Sequence, residues 1–102
     1  MYSEAPEVSQ LAETVIDELG PDYLPDVYGQ QIQIHYLFKN SKKSQYLGKC
    51  SKATGKWKHM VEKDFIIECW FPWWSSATEN ERQALLYHEL RHIKLEEKED
   101  IL

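Results

Sequence analysis

A chain of 102 residues, 42% hydrophobic and 13% aromatic, suits one compact domain spanning residues 1–102 with a single core, and argues against a second domain. No run approaches the roughly 18 apolar residues of a membrane span, and the polar, acidic start MYSEAPEVSQ is unlike a signal peptide, so a cytoplasmic protein without a membrane partner is expected. The two cysteines, Cys50 and Cys69, are too few for a disulfide-built scaffold and read as reduced core residues, with a part in binding zinc as the minor alternative.

In chain order, the first predicted element is an amphipathic helix of about 14 residues. Val8, Leu11, Ala12, Val15, Ile16 and Leu19 recur at helical spacing, Pro6 suits the first turn, and Gly20 with Pro21 ends it. PDYLPDVYGQ is a loop. In QIQIHYLF, Ile32, Ile34, Tyr36 and Phe38 alternate with Gln31, Gln33, His35 and Leu37, which predicts a strand with one buried face. After a turn at NSKKS come a second strand in YLGKCSK, a loop, the short WKHMV and a third strand in DFIIECWF. The Trp-rich link that follows leads into a second long helix, from about residue 79 to at least 95. Thr78 with Glu81 forms its capping box, and Ser76 with Glu79 is the alternative frame. The expected fold is α+β: an antiparallel sheet of about three strands packed with an N-terminal and a C-terminal helix.

The net charge of −5 hides a segregation along the chain. Residues 1–38 carry seven acids and no Lys or Arg, whereas residues 39–63 carry eight lysines against Glu62 alone. Lysines on a hairpin discourage edge-to-edge pairing, which is the preferred reading; a surface for nucleic acid or an acidic partner, led by Lys42 and Lys43, is the other. The stretch has no arginine and few aromatics, which disfavours nucleic acid. Trp70, Phe71, Trp73 and Trp74 are expected between sheet and helices; if Trp73 or Trp74 is exposed, it marks a substrate or partner surface.

His88, Glu89 and His92 spell H-E-x-x-H in LLYHELRHIKLEE. On a helix this spacing sets two imidazoles one turn apart on one face with a carboxylate beside them, the arrangement of a zinc hydrolase. Leu86, Leu90 and Ile93 share a face about 60° wide, and the histidines point roughly 200° and 240° from Leu86, so core face and metal face are separate. In that chemistry His88 and His92 bind Zn²⁺ and Glu89 is the general base. A catalytic zinc usually takes a third protein ligand. Glu96 lies about 12 Å of helical rise beyond His88, too far for one ion. The candidates are Glu97, Glu99 or Asp100 if the helix breaks early, His35 or His59 approaching from the sheet, water, or a ligand supplied from beyond the chain.

The order of these parts resembles the putative phage metallopeptidase family over nearly the whole chain. APEVSQLAETVIDELG, the lysine-bearing turn with LGKC, DFIIECW with Ile67 and Glu68, and ERQALLYHELRHI carry the resemblance. It implies a small zincin-like domain from a phage or prophage, working in the bacterial cytosol, with His88 and His92 at the family's metal ligands and Glu89 at its general base. Two functional classes follow. One is a zinc-dependent peptidase acting on a peptide or a host or phage protein. The other is a non-catalytic module, its zinc structural or absent, that binds a host protein or nucleic acid through the lysine hairpin. A Glu within the His pair has no duty in a closed structural site, which favours the enzyme.

Overall fold

The computed structural model describes residues 1–20, 23, 26–27, 30–31, 33–52 and 65–100, the last seven of these and residues 26–27 and 30–31 by their backbone alone. Six strands and three helices are present among them: β1 (Tyr2–Glu4), α1 (Pro6–Leu19), β2 (Asp26–Val27), β3 (Gln30–Gln31), β4 (Ile34–Lys39), β5 (Gly48–Lys52), β6 (Phe65–Trp70), α2 (Phe71–Ser76) and α3 (Glu79–Asp100). The predicted WKHMV segment, with His59, Lys56, Lys58 and Lys63, lies outside the described residues.

The α+β class holds, with a sheet one strand larger than expected and mixed in direction. Its order is β1-β4-β6-β5. β1 pairs antiparallel with β4, β5 antiparallel with β6, and the central β4 and β6 run parallel, with Ile34 opposite Phe65 and Phe38 opposite Cys69. β2 and β3, two residues each, pair antiparallel apart from that sheet.

α1 begins with Pro6 in its first turn, where a missing N–H costs nothing, and ends at Gly20. Gly20 has φ 101°, a left-handed conformation that favours glycine, and its N–H reaches the Ile16 carbonyl at 3.1 Å. The buried stripe of α1 is Val8, Ala12 and Val15, that of α3 is Leu86, Leu90 and Ile93, and both rest on Tyr36, Phe38, Phe65, Ile67 and Cys69 of the sheet. Leu86, Leu90 and Ile93 are each wholly buried, so the narrow apolar face read from the sequence is the one that meets the core. Cys69 is buried and Cys50 half-buried against the same core, the placement expected of core cysteines.

The Trp-rich link folds as α2 with Pro72 in its first turn. Trp74 is 2% exposed, with its ring edge-on to Phe38 at 5.9 Å between centroids, and Trp73 is half-buried against the core. Trp74 therefore offers no surface to a substrate or partner: its large apolar area is spent inside the domain. Lys42 and Lys43 are exposed on the 40–47 loop. Lys39 and Lys49 instead gather over Tyr46, with their ammonium nitrogens 4.4 and 5.6 Å from its ring centroid.

Candidate metal centre

The helix that carries the histidines is fixed first at its N-terminus. The Thr78 N–H donates to Glu81 Oε1 at 2.9 Å and the Glu81 N–H to Thr78 Oγ1 at 3.2 Å, the reciprocal pair of a capping box. The Thr78 N–H, chiefly, and the Thr78 hydroxyl hold the Glu81 carboxyl below its usual value. One turn on, Arg82 donates from Nε and Nη2 to the Trp74 carbonyl at 2.9 and 2.6 Å, tying α3 to the end of α2. Leu85 then lies directly on Gly48 of β5, and Leu86 and Leu90 enter the core. With the helix held at these points, the direction of the next turn is set.

On that turn His88 and His92 are exposed and lean together. Their rings stand edge to face, with centroids 4.7 Å apart, and the two Nε2 atoms are 3.1 Å from each other. At this distance the Nε2–H of one ring can donate to the Nε2 lone pair of the other, or both lone pairs can turn to one metal ion. Two zinc–nitrogen bonds of about 2.0–2.1 Å meeting at roughly 100° leave this separation, so the pair fits two sites of a tetrahedral ion. Glu89, between them in sequence, is turned toward the sheet and only 4% exposed. Burial raises its pKa, and the neighbouring His92 and His88 pull against that rise. The arrangement thus places a sheltered carboxylate with heightened proton affinity beside two converging nitrogen donors at the surface.

Among the described residues no group of three His, Cys, Asp or Glu side chains converges as a metal site. His35 does not approach: strand register sets it beside Ile66 on the sheet face away from α3, where its Nε2 lies 3.3 Å from Glu4 Oε1. His59 lies outside the described residues. Glu97, Glu99 and Asp100 belong to α3, which runs unbroken to Asp100, and their side chains are not among those described. The helix break on which their approach depended is absent from the backbone.

Two features beside the pair went unread in the sequence. On one side β5 passes under Leu85 at Gly48. On the other, Tyr87 is exposed and its ring lies 6.5 Å from that of Tyr23, so the pair has an aromatic flank joined to Arg91, whose charge opposes the rise in the Tyr23 pKa. Arg91 stands one turn on from both Tyr87 and His88, a neighbour relation the helical period already contained.

The domain is thus small and α+β, and its second long helix carries a His pair with a buried Glu between them in sequence. The family described as "Putative phage metallopeptidase" matches residues 1–101, and the chain belongs to it. None of the curated proteins and none of the solved structures compared with the chain matches it. No helix among the described residues is long and apolar enough to cross a membrane.

Proposed function

We propose that the chain is a zinc-dependent peptidase of phage or prophage origin that hydrolyses a peptide bond in a peptide or protein substrate in the bacterial cytosol. The observation that carries this reading is the convergence of His88 Nε2 and His92 Nε2 at 3.1 Å beside the buried carboxylate of Glu89. His88 and His92 would hold the ion as neutral imidazoles. When bound, zinc supplies Lewis acidity, polarising the scissile carbonyl and lowering the pKa of water. Glu89 takes the proton from the attacking water and returns it to the leaving amine; the burial that raises its proton affinity suits it to both halves of that task. At 4% exposure it is also kept from bulk water, which would otherwise compete for the proton.

The test is metal content by mass spectrometry of chelator-free protein, wild type against His88→Ala, followed by turnover of a peptide library by Glu89→Gln. Near-stoichiometric zinc that is lost in His88→Ala, with turnover abolished but zinc retained in Glu89→Gln, supports the reading. A folded wild type that takes up no zinc refutes it. The exposed Lys42 and Lys43 favour the second reading, a module that docks a host protein or nucleic acid. Salt-dependent DNA binding that Lys42→Ala with Lys43→Ala weakens would support it.

A further inference from the structure

The sheet has a second face, turned away from α1 and α3. Strand alternation sends Leu37 and Ile66 to that side, where they are 8% and 5% exposed and form a buried cluster apart from the main core. Glu68 belongs to the same face, in the middle of the central strand β6 and only 8% exposed. A carboxylate so placed needs partners. Its cross-strand neighbours are Leu37 on β4 and Lys49 on β5, but no ion pair joins Lys49 to it: the Lys49 ammonium reaches toward the Tyr46 ring instead. Glu68 lines a pocket of about 190 Å³ together with Tyr2, Leu37, Lys49, Ser51, Lys52 and Ile66. Interaction with Glu68, chiefly, pushes the pKa of Tyr2, on β1, up to about 12.

We propose that this pocket binds a small zwitterion of amino-acid size, its ammonium on Glu68, its carboxylate on Lys49 and Ser51, and its aliphatic part on Leu37 and Ile66. The volume corresponds to about six waters at roughly 30 Å³ each, which admits a small molecule and no folded partner. A simple anion would meet the Glu68 charge at the floor, and a simple cation would meet Lys49 and Lys52 at the wall. Lys49 and Glu68 are register partners on adjacent strands, whose backbones lie about 4.8 Å apart, and both line the pocket, so one short molecule can engage both. The floor of Leu37 and Ile66 selects a ligand that also has apolar surface to bury. This face is opposite the one that carries His88 and His92, so the proposal stands independently of the metal chemistry.

Calorimetric titration of the whole chain with L-leucine as the probe tests it, alongside isocaproate, which lacks the ammonium, and isoamylamine, which lacks the carboxylate. Leucine should bind, each half-molecule should bind at least about tenfold more weakly, and Glu68→Gln should weaken leucine by a similar factor, as expected for loss of a charged hydrogen bond. Ser51→Leu fills the pocket from an edge strand without touching the core, so it serves if Glu68→Gln does not fold; it too should abolish leucine binding. His88→Ala should leave the affinity unchanged. Absence of heat with leucine, equal binding of either half-molecule, leucine binding that survives Ser51→Leu, or its loss in His88→Ala would each overturn the proposal.

Discussion

Gly48 lies where Leu85 comes down on the sheet: a Cβ added there would sit 3.0 Å from Leu85 Cδ1, 3.1 Å from Cδ2 and 3.2 Å from Cγ. Carbon atoms pack best at about 3.5–4.0 Å, so even one methyl asks the whole head of Leu85 to retreat by roughly half an ångström. Gly48→Val adds two further carbons to that crowding. Overpacking of this kind costs about 1–3 kcal/mol, against a gain in strand propensity of at most about 1 kcal/mol, so a net loss of stability is expected. Leu85 precedes His88 by three residues on α3, so relief of the clash by tilting the helix also shifts the histidine pair. Urea unfolding followed by circular dichroism measures the first effect and zinc titration the second. Combining Gly48→Val with Leu85→Ala makes room for the new side chain, so the double variant should be more stable than the two single losses predict by at least about 1 kcal/mol, and should recover zinc affinity. A neutral Gly48→Val, or strictly additive losses, would refute the reasoning that this contact sets the height of α3 above β5.

Removing the Thr78 hydroxyl in Thr78→Ala should cost about 1 kcal/mol in urea unfolding, as for other helix caps. Glu81, held below its ordinary value by the Thr78 N–H and then the hydroxyl, contributes stability that is present above the usual carboxylate pKa and lost as pH falls through the lowered one. The stability difference between wild type and Glu81→Gln should therefore narrow over that acid window, and a pH-independent difference would contradict it. Tyr2 is raised to about 12, so its contribution is complete below the ordinary tyrosine pKa and is lost as pH climbs toward about 12; Tyr2→Phe should remove that part of the alkaline decline in stability. Burial pushes the Cys69 thiol up to about 12, so a thiol reagent should leave it unmodified in the native protein while Cys50 reacts, and both should react after unfolding. Fast native labelling of Cys69 would show that β6 is not packed as described.

The parts of the fold that local pattern fixes were legible. Val8, Ala12 and Val15 on α1 and Leu86, Leu90 and Ile93 on α3 are buried as their spacing predicts, because a helical period leaves one choice of inner face. The Thr78–Glu81 cap and the meeting of His88 with His92 follow from spacing alone. What was missed depends on partners distant in sequence. Tyr2-Ser3-Glu4 is too short and polar to announce a strand, and it becomes one only beside Leu37 to Lys39. FPWWSS lacks a helical period, and it coils because Trp74 finds space against Phe38. Alternation in β4 gave two faces without saying which one faces the helices, so His35 stayed a candidate ligand until its pairing with Ile66 placed it on the far side. The close approach at Gly48 could not be read at all, since a glycine in LGKC says nothing about the leucine above it.

The strand order has a consequence for how the chain comes off the ribosome. β6 sits between β4 and β5 although it is the last of the four sheet strands to be synthesised, and β4 and β5 meet only through it. A nascent chain ending before Phe65 can pair β1 with β4 but cannot join β5 to them, and the loop closures this requires favour late, all-at-once assembly. The floor on which α3 rests is therefore laid only moments before α3 itself emerges. A fragment cut anywhere in the first two thirds of the chain should neither hold this sheet nor complement a separately made histidine helix without supplying β6 in the same piece.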